Sequence, residues 1–212
     1  MSDRWTDTLR SPVALACFLG TAIAGIGLDL WSKSAAVANL KYASPRHFIP
    51  YLLRFEYTEN HGAVFGLGQG QQAIFLIVSV AAIVFLIYLF LTSGRSRFYQ
   101  IVLGMLLAGV VGNMYDRLTF GYVRDMIHGL PGVYWPGWIA ERLPLAWRPP
   151  MGGRLEVFPW IFNVADSLLC VGVAAMIIYS FVSEHQRKRL MSIAEDSGGG
   201  GDANKLAQTG PS

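Results

Sequence analysis

Residues 69–93 read QGQQAIFLIVSVAAIVFLIYLFLTS, 25 positions without one charged side chain. A helix that crosses the hydrocarbon core of a bilayer needs roughly 20 mainly apolar residues, so this stretch is long enough to span. Working outward, residues 11–28, 98–115 and 167–183 repeat the pattern with no charge over 18, 18 and 17 positions. One such run would fit a buried helix of a soluble protein. Four in a chain of 212 residues leave too little polar sequence to cover them. Charged residues make up 15% of the chain, against about a quarter in ordinary globular domains. The expected fold is therefore an all-α membrane protein with four transmembrane helices, at about 12–29, 71–92, 98–115 and 160–183. These form a single membrane domain over 1–183, followed by a cytoplasmic, disordered tail over 184–212 that holds the glycine run Gly198 to Gly201.

Arg4 and Arg10 precede the first run, as in a secretory signal peptide, but the run is longer than a typical signal-peptide core and no small-x-small site closes it. It is read as a retained span. The two cysteines, Cys17 and Cys170, lie in different apolar runs and read as packing residues. His47, His61, His128 and His185 are scattered without ligand spacing, so no metal is implied, and a net charge of +3 spread along the chain does not point to nucleic acid.

Basic residues set the orientation. Arg4, Arg10, Arg95, Arg97, Arg187, Lys188, Arg189 and Lys205 flank the spans on one side, which places both termini in the cytoplasm. Two longer segments, 30–70 and 116–159, then face outward. In the first, Leu53, Arg54, Phe55, Glu56 and Tyr57 alternate apolar and charged side chains, a strand signal. In the second, the Gly-, Pro- and Trp-rich residues 129–138 read as an irregular loop hugging the membrane.

With that orientation, the polar residues at span ends collect on the outer side: Asp29, Asn113, Asp116, Asn163 and Asp166. Ionisable groups at membrane depth are costly and are functional candidates by default. Asn163 and Asp166 share a helix face, as do Asn113, Asp116 and Arg117; Asp29 and Lys33 stand at i, i+4 as a favourable ion pair. Asp116 and Arg117 read as a structural ion pair or as partners for backbone groups. Gly104, Ala108 and Gly112 form a small-residue ridge that lets a neighbouring helix approach, so the third span is expected to pack centrally.

Two adjacent carboxyls cannot both ionise easily, so one keeps its proton while the other acts as a base. Such a pair can activate a water against a peptide bond without metal, serine, cysteine or histidine. No Gly-x-Ser-x-Gly or His-Glu-x-x-His competes. Spacing alone leaves Asp29, Asp116, Asp125 and Asp166 all open as members.

Four blocks narrow the choice. Asp29-Leu-Trp-Ser-Lys33, the run Asn60-His-Gly62-Ala63-Val-Phe-Gly66, Gly112-Asn113-Met-Tyr-Asp116-Arg117 with Val123-Arg-Asp125-Met, and Phe162-Asn163-Val-Ala-Asp166-Ser resemble, in order, the motifs of lipoprotein signal peptidase, or signal peptidase II. The resemblance covers about residues 12–183. It implies Asp125 and Asp166 as the catalytic pair, with Asn60, Gly62, Asn113, Arg117 and Asn163 as substrate-binding or supporting residues. Asp29, Lys33 and Asp116 take structural positions. No metal or cofactor is implied. It also implies a small outward β-cradle above the four spans and a substrate class, prolipoproteins cleaved before a diacylglyceryl-modified cysteine. Globomycin-type cyclic peptides are the implied inhibitors, and the bacterial inner membrane is the location, with the site at the periplasmic face. The sequence departs from the pattern in a long insert, about 128–160, read as a lid, an interfacial foot or a spacer. The alternative is a small ion- or proton-coupled transporter, disfavoured because its acids would need to run through the membrane's depth. A presenilin-type peptidase and a non-catalytic scaffold are further rivals.

Overall fold

The structure is a computed structural model; it describes residues 8–9, 11–62, 71–94, 96–143 and 153–198. Ala63 and Gly66, the basic residues Arg4, Arg10, Arg95 and Lys205, and the tail from 199 lie outside the described residues. Among the described residues, four helices are long and apolar enough to cross a membrane. Two compact units divide the chain, Met1–Gly172 and Val173–Ser212, and all candidate site residues belong to the first.

Helix α1 runs Pro12–Leu40. The Ser11 hydroxyl caps it by accepting from the Ala14 N–H at 3.3 Å, and Pro12 needs no helical partner for its nitrogen. The apolar count ends this span at 29, yet the helix continues for eleven more residues, about 16 Å. The charges there do not break it, because Asp29 and Lys33 neutralise each other at 2.7 Å and both are fully buried. The sheet begins beyond Leu40: β1 (Arg46–Ile49) and β2 (Leu53–Asn60).

Helix α2 (Gln72–Leu91) exposes Ile77, Val78, Val84 and Phe85 by more than half, a surface suited to lipid. Helix α3 (Arg97–Phe120) is different: half of its apolar window is buried, against 22% or less in the other three. Ser96 caps its start, and Gly121, at φ +83°, ends it in the left-handed conformation that glycine adopts without strain. The small-residue ridge explains the burial. Gly104 lies against the Phe18 carbonyl, Ala108 is fully buried, and Gly112 lies against the Asp29 carboxylate. Gly109, on an adjoining face, meets the Ala165 carbonyl and Leu169 of the last helix.

The segment after α3 is more ordered than its composition suggests. Strand β3 (Val123–Gly129) pairs antiparallel with β2, and β4 (Ile161–Phe162) with β3, giving the order β1-β2-β3-β4. Val123, Arg124, Asp125, Met126 and His128 of β3 are buried, so its side chains lie inside on both faces and period-2 alternation is lost. The insert is not irregular throughout. It leaves the sheet and returns as a paired excursion: Trp135 donates to the Leu155 carbonyl at 2.9 Å and Val157 to the Val133 carbonyl at 2.8 Å. Helix α4 (Gly137–Ala140) lies between, and residues 144–152 are outside the described residues. His128 secures the return, its Nε2 lying 3.1 Å from Glu156 and its Nδ1 2.6 Å from Glu56.

Helix α5 runs Val164–Gly198. It starts later than the expected 160 because β4 uses the residues before it. Residues 184–198, expected to be a disordered tail, are helical. Helix-forming residues with a Glu184–Lys188 ion pair at 2.8 Å continue the span without a breaker until the glycine run.

The close contact of α1 with α3 yields a prediction. A methyl group on Gly112 would collide with the Asp29 carboxylate, so Gly112→Ala is expected to cost about 1–3 kcal/mol. Gly20→Ala meets open space and is expected to hold or raise stability. Thermal unfolding in detergent distinguishes the two.

Candidate active site

Two acids of the site come from different elements. Asp125 lies on β3, opposite Thr58 of β2. Asp166 lies in the first turn of α5. Asn163 joins them. Its Oδ1 accepts from the Asp166 N–H at 3.0 Å, while the Asp166 Oδ2 accepts from the Asn163 N–H at 3.2 Å. This reciprocal pair is a capping box, a known solution for the free N–H groups at a helix start. The Nδ2 of Asn163 remains available and donates to Asp125 Oδ1 at 2.6 Å and to Asn113 Oδ1 at 3.1 Å. One buried side chain thus starts the helix and touches both halves of the site.

The other amides complete it. Asn60 donates through Nδ2 to Asp125 Oδ2 at 3.0 Å and is held by the Gly62 N–H, which donates to its Oδ1 at 2.9 Å. Asn113 donates through Nδ2 to Asp166 Oδ1 at 2.8 Å. Each carboxylate therefore receives two N–H donors. Burial and the neighbouring Asp166 charge push the Asp125 carboxyl up to about 7; donation from Asn60 and Asn163 and the Lys33 charge pull against that rise. A carboxyl tuned to that range can hold a proton at neutral pH.

Below the acids lies a layer of ion pairs. Lys33 meets Asp29 at 2.7 Å, Asn113 Oδ1 at 3.0 Å and Asp116 at 3.5 Å. Asp29 Oδ1 also accepts from the Ala165 N–H at 2.8 Å, near the start of α5. Asp116 does not pair with Arg117, the residue chosen from helical spacing. It takes a forked contact from Arg124, at 2.7 and 3.2 Å, and accepts the Arg124 N–H at 2.9 Å. Arg117 instead reaches the Gly62 carbonyl at 3.3 Å and stacks over the Phe75 ring at 4.9 Å. Of the two readings, ion pair or backbone partners, the second holds for both residues, and the strand that returns after Gly121 brings Asp116 its cation. Arg124 was visible only as the residue beside Asp125, with no signal that it closes onto α3.

All ten residues singled out from the sequence thus meet in one connected network, which explains why they recur as short motifs far apart in the chain. A model of the family described as signal peptidase (SPase) II matches residues 21–182, more than half of the chain. The chain belongs to the signal peptidase II family. It is similar to the lipoprotein signal peptidase of Enterococcus faecalis, with 34% identity over 77% of this chain and 86% of that one. It is also similar to the lipoprotein signal peptidase of Rhodopirellula baltica, with 35% identity over 78% and 72%. A solved structure described as a bacterial membrane enzyme superposes with a TM-score of 0.63 at 27% identity, covering 79% of this chain and 88% of that one. As a member of the signal peptidase II family the chain is a peptidase and a multi-pass bacterial membrane protein.

The Asp116–Arg124 contact can be tested alone. Arg124→Met strips a wholly buried carboxylate of its forked partner and is expected to cost about 3–5 kcal/mol. Pairing it with Asp116→Asn is expected to recover part of that loss. Denaturant unfolding in mixed micelles measures both.

Proposed function

We propose that Asp125 and Asp166 are the catalytic pair with which this peptidase removes the signal peptide of prolipoproteins, cutting before a diacylglyceryl-modified cysteine. One observation carries the reading: two carboxyls of different elements are joined through a single asparagine, and one of them is drawn up to about 7. Membership of a peptidase family favours hydrolysis over the transport alternative.

Asp166, ionised and facing two N–H donors, takes a proton from a water as the water oxygen attacks the scissile carbonyl carbon. Asp125, protonated, donates a hydrogen bond to the carbonyl oxygen as charge develops there. Collapse of the tetrahedral intermediate breaks the C–N bond. The proton held by Asp166 passes to the leaving amine, and the enzyme returns to its starting state. Asn60, Asn113 and Asn163 hold the two carboxyls, Gly62 holds Asn60, and Arg117 brings positive charge to the same edge. Asp29, Lys33 and Asp116 support the layer beneath.

The membrane setting suits the substrate. Asp29 is the eighteenth residue of α1, about 27 Å along its axis, near the far limit of a hydrocarbon core about 30 Å thick. A bond beside a lipid-anchored cysteine lies at that depth. The distribution of arginine and lysine supports a periplasmic position for this edge, on the inner membrane, with both termini in the cytoplasm. Residues 1–183 are the peptidase domain, and a globomycin-type cyclic peptide competes for the same edge.

Cleavage of a diacylglyceryl prolipoprotein, followed by gel shift, tests the pair. Asp125→Asn and Asp166→Asn are each expected to lower the rate by 10²-fold or more, on the order of a general acid–base contribution. Chelator is expected to leave the rate unchanged and globomycin to block it. Cleavage at the normal rate in both single variants would sink the assignment. The pH profile gives a second check. Asp125 works protonated, so kcat/KM is expected to fall as pH rises through about 7. Asn60→Ala removes a donor that favours the ionised form, and the falling limb is expected to move to higher pH. The linked stability has the same sign: the folded chain holds this proton where the unfolded one, at about 3.9, has lost it, so this contribution declines as pH rises from about 4 to 7.

A further inference from the structure

Among the described residues Lys33 pairs with neither proposed catalytic carboxylate, yet it is fully buried, with its ammonium 2.7 Å from Asp29, 3.0 Å from Asn113 Oδ1 and 3.5 Å from Asp116. The contact with Asn113 differs from the other two. Two ion pairs suffice to neutralise the ammonium; the third bond goes to a neutral amide, whose other end is in the site.

A carboxamide has two ends of nearly the same shape, one acceptor and one donor, and its partners decide which end faces which way. An ammonium has donors only. Lys33 therefore requires the oxygen of Asn113, at 3.0 Å, and the Asn163 amide donates to that same oxygen at 3.1 Å. With both lone pairs taken, Nδ2 is left facing Asp166 Oδ1 at 2.8 Å. Turned over, Asn113 would set its oxygen against the Asp166 carboxylate, and only a protonated Asp166 would tolerate that.

We propose that Lys33 is a positioning residue which, by holding the Asn113 oxygen, aims its amide N–H at Asp166 and so holds that carboxylate in its working orientation within the pair. The inference rests on the reading of Asp125 and Asp166 given above and adds to it the device that orients Asp166. Lys33 belongs to α1, Asn113 to α3, Asp166 to α5 and Asp125 to β3, so the device joins four elements. The groups around Asp125 are Asn60 from β2, Asn163 and Asp166 from the start of α5, and Lys33, whose charge also favours ionisation there. Arg117 of α3 brings a further positive charge near both acids.

The experiment uses the full chain in detergent with a diacylglyceryl prolipoprotein as substrate. Removing Lys33 alone strands Asp29 and endangers folding, so the comparison is Asp29→Asn/Lys33→Met against Asp29→Asn. The expected result is a fall in kcat on the order of 10- to 100-fold, the range of one lost hydrogen bond to a charged group, with KM little changed. The falling limb of the pH profile is expected to move upward, since a charge that favours ionised Asp125 is gone. On an Asn113→Leu background, the same Lys33→Met change is expected to have at most a small further effect on kcat, because the amide it aims is absent. A merely structural lysine would lower the amount of folded enzyme and leave kcat per folded molecule in place; that result overturns the proposal, as does a full additional loss on the Asn113→Leu background. If Asp125→Asn and Asp166→Asn retain activity, it is the catalytic reading that fails; if they are inactive while the Lys33 comparison is flat, only the positioning role fails.

Discussion

A carboxylate taken out of water has to be given either a cation or enough N–H groups to replace its hydration. Five elements of this protein are arranged around that requirement. Asp29, Asp116 and Asp125 are fully buried, and no two of them are satisfied in the same way. Asp116 has Arg124 and Lys33. Asp29 has Lys33 and the backbone at the start of α5. Asp125 is left with amides alone, and it is the one whose proton is held to about 7. The cations saturate the lower layer and stop short of Asp125. A further cation in direct contact would hold Asp125 ionised and remove the acid from the pair.

The positions of the helices follow from the same need. Bringing Lys33 of α1 to Asn113 and Asp116 of α3 requires the two backbones to approach closely, and the glycines of α3 permit it. Gly112 carries no side chain where Asp29 needs room, and Gly109 lets the Ala165 carbonyl of α5 come near. Packing and chemistry are therefore not separate in α3: the ridge that seats α1 is the ridge that places the cation beneath the acids.

How much of this was legible beforehand depends on whether the information was local. The four apolar runs are local, and they gave the spans. Ends were harder. Helix α1 outlives its apolar run because a buried ion pair replaces lipid, and α5 outlives its own because helix-forming residues follow. Strand β3 is hidden: buried on both faces, it lacks alternation, and the glycine and tryptophan after it read as an irregular loop. Among site residues, the i, i+4 pair of Asp29 and Lys33 could be read directly. Asn163 and Asp166 read as neighbours on one helix face, whereas Asn163 is the cap. Arg124 could not be assigned at all, since its bond to Asp116 depends on the direction in which the chain turns at Gly121. The choice of Asp125 and Asp166 among four acids came from resemblance rather than from spacing.

The capping asparagine narrows what substitution can do. At most helix starts, serine, threonine, aspartate and asparagine are close to interchangeable, since each offers an oxygen to the first turn. At 163 that tolerance is gone. The oxygen of Asn163 begins α5, and the nitrogen of the same amide reaches Asp125 and Asn113. Serine and threonine are too short to span both, and aspartate has no hydrogen to give. A position that would ordinarily be a first choice for improving helix stability by design is here closed to redesign, and a sequence drifting through the good caps would keep its helix while losing its chemistry.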